Sequence, residues 1–242
     1  MNRRAFRAFA GALLLAASVA AATAAPLPAR PGDSVLYGYE VTGPQKSAGQ
    51  VWVVRSEAAL VSVTVSPSTD EVPGTYAFVV GPGETLSRMA TDDVPDGGIL
   101  GEAPSEMARS FAAAANVLVP PPAANGGAYA VDVPVPGTTS TLRLLAHVTA
   151  QDGDDRTVAA DGSGQFMLVP PGAKREPRER RGKIPYATPS PQLASVDISM
   201  HVEASLKAGK LVSALGSTRV TPRNGKTPAV QYTWKIADPA AK

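Results

Sequence analysis

Residues 194–220 read ASVDISMHVEASLKAGKLVSALGSTRV, and they show the clearest secondary-structure pattern in the chain. From Val196 to Leu206 every second residue is apolar, and the residues between them are polar or charged. A period of two residues is typical of a β-strand that buries one face and leaves the other in water. The turn at Lys207–Lys210 then leads into a second strand over 211–220. The stretch therefore predicts an antiparallel hairpin that covers a core.

The same alternation continues along the chain in both directions. Asn224–Gly225 is a strong hairpin signal, and an alternating segment follows it over 230–236. We predict further strands over 35–41, 61–65, 76–80, 129–135, 139–150, 156–160 and 165–169. We predict turns where Gly, Asp and Pro cluster, at 81–83, 152–154 and 161–164. One-sided strands in this number indicate a long antiparallel sheet.

Residues 105–118 have the periodicity of a helix instead. Met107 and Phe111 recur at the spacing of one helix face. Ser105 is the expected N-cap, and Pro120–Pro122 ends the helix. A lone helix must bury its apolar face, and the concave side of a curved sheet is the simplest place for it. We therefore predict a mainly β fold, a curved antiparallel sheet that is half-barrel-like and wraps one short helix.

Residues 1–25 have the three parts of a signal peptide. A cationic start is followed by an apolar stretch over 8–22 and by the small residues Ala22–Ala24. We expect this leader to be removed and the protein to be periplasmic or secreted. Export by the Sec route is the first expectation. The pair Arg3-Arg4 followed by Phe6 leaves the twin-arginine route as the alternative.

The remaining residues, 26–242, are predicted to form a single β-rich domain. The alternative is two unequal β-halves, 33–100 and 125–238, on either side of the helix. No apolar run after residue 25 approaches the length of a membrane span.

The composition excludes several kinds of site. The chain has no cysteine, which excludes disulfides, thiolate metal sites and lipid attachment through a cysteine. Its formal charge of +2 includes three leader arginines, so the remainder has 20 basic and 21 acidic residues. A nearly neutral domain of this kind gives no reason to expect nucleic-acid binding. We expect no cofactor.

Catalytic and metal-ligating patterns are also missing from the sequence. The two histidines, His147 and His201, lie within predicted strands and lack metal-ligand spacing. No Gly-x-Ser-x-Gly motif occurs. The acidic turn 152–155 lacks the remainder of a calcium loop. We therefore predict a non-enzymatic protein with no catalytic and no metal residues.

A basic, proline-rich loop over 170–191 is the most distinctive polar segment. Its centre, 174–183, has six cations and two anions in an otherwise acidic domain. It is a candidate contact for an anionic envelope surface or an acidic partner. The alternative is a solvated loop with no such role. The candidate residues are Lys174, Arg175, Arg178, Arg180, Arg181 and Lys183.

Large apolar residues suggest a second kind of site. If the sheet curls around the helix without filling its concave side, an apolar cavity results that holds an acyl chain or similar ligand. The alternative is that these residues simply form the core. The candidate wall residues are Trp52, Phe78, Met107, Phe111, Met200 and Trp234.

The layout of the chain resembles a known group. Arg30–Asp33 opens a Tyr-x-Tyr strand, the helix ends before Val119–Pro122, and the chain returns into Tyr129–Val135. This order resembles exported bacterial β-rich proteins of unknown function that share the unclosed half-barrel of lipoprotein carriers. The resemblance implies a long antiparallel sheet wrapped on a helix and carries over no functional residue.

Three functions are compatible with these features. The first is an exported envelope protein, not an enzyme, that binds an apolar or lipid-like ligand or a partner protein in its concave sheet. The second is a structural or interaction module with a filled core, which acts through its basic loop or a sheet edge. The third is a hydrolase without a recognisable motif.

Overall fold

A computed structural model describes most of the chain after the predicted leader. The described residues are 26–44, 46–69, 73–89, 103–119, 127–135, 140–168, 194–226 and 228–240. The predicted leader and the predicted basic loop, with its six candidate cations, lie outside them.

The described residues form eleven strands, one α-helix and one short 3-10 turn at Pro82–Glu84. Five strands precede the helix: β1 (Ser34–Thr42), β2 (Lys46–Glu57), β3 (Leu60–Pro67), β4 (Gly74–Val80) and β5 (Leu86–Met89). The helix, α1, is Ala103–Val117. Six strands follow it: β6 (Tyr129–Pro134), β7 (Thr141–Asp152), β8 (Asp155–Leu168), β9 (Ala194–Lys207), β10 (Lys210–Pro222) and β11 (Val230–Ala237).

All eleven strands belong to one sheet in the order β5-β4-β3-β2-β1-β11-β10-β9-β8-β7-β6. Neighbouring strands in this order pair antiparallel, and β1 pairs with β11, which joins the strands before the helix to those after it. The two ends of this order, β5 and β6, approach each other without pairing. The sheet is therefore a barrel with one unsealed seam, which confirms the predicted mainly β fold.

Alternation of side chains sets the two faces of this sheet. On β3, Val61, Val63 and Val65 are fully buried, whereas Ser62 and Thr64 between them are partly exposed. β9 alternates in the same way between a buried apolar row and a wetter polar row. Each strand thus buries one face against the interior, as a period of two residues requires.

The helix fills the interior of the barrel. Every side chain from Glu106 to Leu118 is buried, and strands from both halves of the sheet lie against α1. Ala112–Ala115 supply four consecutive small side chains. Because these are small, the surrounding strands can approach the helix axis closely on all sides. No helix in the described part of the chain is long and apolar enough to cross a membrane.

Several sequence predictions about local structure are confirmed. The hairpin turns lie where they were expected, between β7 and β8, β9 and β10, and β10 and β11. Ala208 and Gly209 both have positive φ, as a tight hairpin turn requires. The helix begins at Ala103, two residues earlier than predicted, so Ser105 lies inside it rather than at its N-cap.

The predicted turn at 161–164 is wrong, because β8 continues through it. Gly162 lies opposite Met200 of β9, and a Cβ there would be 2.3 Å from the Arg143 carbonyl oxygen. Gly164 lies under the Phe166 ring, 2.9 Å from a notional Cβ. These glycines therefore allow close approach inside a strand and do not mark a turn.

This close approach gives a testable prediction for Gly162. We expect Gly162→Ala to lower the free energy of unfolding by about 1–3 kcal/mol, because backbone atoms must shift to admit the methyl group. Urea unfolding measures the change. Gly38→Ala in β1 is the matched control, since its nearest atom, the Ala237 carbonyl oxygen, is 3.9 Å away. Equal losses in the two variants would contradict the close-approach explanation.

Candidate functional site

The seam between β5 and β6 is bridged by one side chain from the helix. Asn116, only 1% exposed, accepts a hydrogen bond from the Leu86 N–H at 2.7 Å through Oδ1. Its Nδ2 donates to the Leu86 carbonyl at 2.8 Å and to the Asp132 carbonyl at 3.0 Å. The Asn116 amide therefore bonds to β5 as a neighbouring strand would, and it reaches β6 as well.

Apart from this bridge, both seam edges lack a partner strand in the described part of the chain. Asp132 turns its carbonyl toward the seam, and alternate residues of a strand face the same side, so Ala130 does the same. Pro134 at the end of β6 has no N–H to offer a further strand. Among the described strands, the barrel wall is thus interrupted between β5 and β6.

A pocket of about 610 Å³ opens at this interruption. Its walls come from both edges, from the end of the helix and from the loop that carries the 3-10 turn, and apolar surface predominates. The lining residues are Pro82, Gly83, Thr85, Leu86, Ser87, Asn116, Val119, Ala130, Val131, Asp132 and Thr141. We call this space the seam pocket.

The end of α1 beside the seam pocket is held by two side chains. Tyr129 donates its hydroxyl hydrogen to the Val117 carbonyl, and Arg156 Nη2 donates to the Leu118 carbonyl. Both satisfy carbonyls that a helix end leaves without partners. Burial raises the pKa of Tyr129 to about 12, while nearby Arg156 acts in the opposite direction, so the hydroxyl stays protonated at neutral pH. These two bonds therefore hold the end of α1 that carries Asn116 in place.

Five of the six predicted wall residues lie together in the core. Phe78, Met107, Phe111, Met200 and Trp234 are all buried, and the Phe111 ring packs against Tyr37 at 5.7 Å between centroids. Met107 and Phe111 belong to α1 itself, the other three lie on the surrounding strands, and none of the five lines the seam pocket.

The sixth predicted wall residue, Trp52, was assigned to the wrong face. It is 51% exposed, because its neighbours Val51 and Val53 take the buried row of β2. Alternation in the sequence separates the two faces of a strand but does not show which face is buried. In β2 the valines face the core, and the larger Trp52 faces outward.

The two histidines lie on the outer face of the sheet. His147 is exposed on β7. His201 Nδ1 is 2.7 Å from Asp161 Oδ1, and both side chains are open to solvent. Ser163, Ser199 and Ser217 line the same shallow depression, of about 380 Å³. The carboxylate orients the imidazole ring, as in many surface His–Asp pairs.

Among the described residues, no group of three or more His, Asp or Glu side chains could hold a metal ion. The predicted anionic contacts of the basic loop lie outside those residues, so the seam pocket is the site that we consider further.

No family model, curated protein or solved structure matches the chain. The functional proposal below therefore rests on the geometry of the seam pocket and not on any related protein.

Asn116 and the edges of β5 and β6 were not among the predicted site residues. One signal was present: Asn116 is the only amide in the run Phe111–Leu118, which is otherwise apolar. A buried amide usually has hydrogen-bond partners, so its position in the helix indicated a backbone contact.

Proposed function

We propose that the chain is an exported, non-enzymatic protein that binds a small apolar or lipid-like ligand in the seam pocket. The observation that carries this proposal is the mainly apolar pocket of about 610 Å³ between the unpaired edges of β5 and β6. Its volume falls in the usual range for small-molecule sites, about 300–1,000 Å³.

The distribution of polar groups supports an amphipathic ligand. Leu86, Val119 and Val131 supply apolar surface, while Ser87 and Asp132 are polar side chains on the exposed side. A ligand with an apolar body and a polar end satisfies both parts of this lining. The interior itself is the weaker candidate, because α1 already occupies it.

The width of the seam favours a small ligand over an added strand. Cα atoms of β5 and β6 lie within 8 Å of each other. Inserting a strand between them requires two strand spacings, about 9.5 Å in total. A ligand that fills the pocket without forming a β-ladder therefore needs less rearrangement of the barrel.

Filling the seam pocket should weaken this binding. We expect Ala130→Phe to weaken binding of a fluorescent fatty-acid analogue, dansyl-undecanoate, roughly tenfold or more, because the ring takes up pocket volume. Ala130 is exposed on an edge strand, so the variant should still fold. Fluorescence titration measures the dissociation constant.

Ala150→Phe is the matched control, since it makes the same change at an exposed position of β7 outside the pocket. Equal affinities of the two variants for dansyl-undecanoate, or saturable binding by neither variant nor the parent protein, would contradict the proposal.

A further inference from the structure

One wall of the seam pocket is the short turn between β4 and β5. Pro82 and Gly83 of this turn, and Thr85 after it, line the pocket. A Cβ on Gly83 would lie 3.9 Å from Cγ1 of Val119, which lines the pocket from the segment after α1. The position of the turn therefore helps to set the shape of the pocket.

The turn has an unfavourable backbone conformation at Glu84. Gly83 and Glu84 have φ values of 74° and 65°, both in the left-handed region. Glycine adopts this region freely, whereas a residue with a Cβ is destabilised there. Residues other than glycine keep such a conformation where surrounding contacts hold them, often beside ligand sites. Glu84 therefore needs a contact that outweighs its backbone strain.

That contact is an ion pair with Arg55 of β2. Arg55 Nη1 donates to Glu84 Oε2 at 2.5 Å, and Nη2 donates to Oε1 at 3.2 Å. Two parallel hydrogen bonds of this kind fix orientation as well as distance. The Arg55 side chain is 7% exposed and the Glu84 side chain 42%. The pair therefore ties the turn to a buried point of the barrel wall.

The Arg55 guanidinium is itself fixed by parts of the chain outside the pocket. Nη1 also donates to the Pro28 carbonyl at 3.1 Å, and Nη2 donates to the Ala58 carbonyl at 2.6 Å. Neither Pro28 nor Ala58 lines the seam pocket. The guanidinium is therefore held in place independently of the turn.

Other hydrogen bonds of the turn close it on itself. Gly81 N–H donates to the Thr85 carbonyl at 2.6 Å, and the Thr85 hydroxyl donates to the Pro82 carbonyl at 3.1 Å. These bonds keep the shape of the turn but do not set where it lies against the barrel. That placement depends on the adjoining strands and on the pair between Arg55 and Glu84.

We propose that Arg55 and Glu84 are positioning residues of the seam pocket, which hold the turn Pro82–Glu84 in the place where it forms the pocket wall. This inference rests on the proposed function, because it gives the two residues a role in the same site. With the ion pair intact, the wall is in place before a ligand arrives, and binding need not order it. Without the pair, the turn is in its binding position for only part of the time, which weakens the observed affinity.

Fluorescence titration with dansyl-undecanoate tests this role. Glu84→Gln removes the charge and keeps the shape of the side chain, and it is expected to raise the dissociation constant roughly three- to fivefold, as suits a partly exposed ion pair. Glu84→Gly removes the same contact and also the backbone strain. It should weaken binding at least as much, because the contact and not the strain places the turn.

Asp197→Asn is the matched control. Arg223 Nε donates to Asp197 Oδ2 at 3.0 Å, the Asp197 side chain is 48% exposed, and neither residue lines the seam pocket. The same change from carboxylate to amide thus disrupts an ion pair of similar exposure elsewhere. Affinity for dansyl-undecanoate should stay within about twofold of that of the parent protein.

Arg55→Met separates positioning from a purely structural role. It should weaken binding in the parent protein but not further in the Glu84→Gln background, because Arg55 acts on the pocket through Glu84. Its bonds to Pro28 and Ala58 are lost in either background. Urea unfolding should therefore show a further loss of stability in the double variant without a further loss of affinity.

Equal affinities of Glu84→Gln and Asp197→Asn, with saturable binding by the parent protein, would overturn this inference and leave the proposed function standing. The same holds if Glu84→Gly binds as tightly as the parent protein, or if Arg55→Met weakens binding further in the Glu84→Gln background. Absence of saturable binding by the parent protein would contradict the proposed function and this inference together.

Discussion

Replacing Asn116 with Leu is expected to lower the free energy of unfolding by about 3–5 kcal/mol, although the two side chains have similar sizes. The change removes all three hydrogen bonds that bridge the seam, and it leaves the buried N–H and carbonyl of Leu86 without partners. Urea unfolding measures the loss. Hydrogen exchange should also show faster exchange at β5 than in the parent protein.

Asn116→Asp sharpens this test, because the carboxylate can accept from Leu86 N–H but cannot donate to the two carbonyls. It should therefore be at least as destabilising as Leu. Ser110→Ala is the matched control on the same helix, since among the described residues the Ser110 hydroxyl bonds to the Glu106 carbonyl one turn earlier and not to a seam strand. A loss no larger than that of Ser110→Ala would show that Asn116 does not hold the seam.

Arg109→Met is expected to have an effect of similar size, for an electrostatic reason. The substitution leaves Glu106 as an unpaired charge that is only 1% exposed. Removing one partner of a buried ion pair typically costs about 3–5 kcal/mol. We expect a loss in this range by urea unfolding.

The double variant Glu106→Leu/Arg109→Met provides the comparison. Replacing both members of a buried pair by apolar residues is often neutral or stabilising. The double variant should therefore be more stable than Arg109→Met and close to the parent protein. If the double variant is less stable than Arg109→Met, the pair contributes more than its desolvation cost, and this explanation is wrong.

The fold class could be predicted because alternation is a local property. Val196 to Leu206 specify a one-sided strand by themselves, and Asn224-Gly225 specifies a turn by itself. The error at 161–164 arises because glycine has two uses. Glycine occurs in turns and also where two strands pack closely. Gly162 has the second role, which is recognised only from the nearby Arg143 carbonyl in the folded protein.

The candidate site could not be predicted, because it depends on which strands remain unpaired. The pairing of β1 with β11 joins segments about 190 residues apart and leaves β5 and β6 as the edges. No local pattern encodes that outcome. The buried Asn116 was visible in the sequence, but its partners Leu86 and Asp132 became known only from the closed sheet.

Amide NMR spectra of the protein titrated with dansyl-undecanoate show whether a small apolar ligand binds at the seam. If it does, saturable shifts are expected at Leu86, Ser87, Asn116, Val119 and 130–132, which line the seam pocket. Shifts concentrated on the outer face of β9 and β10, or no saturable shift at all, would contradict it.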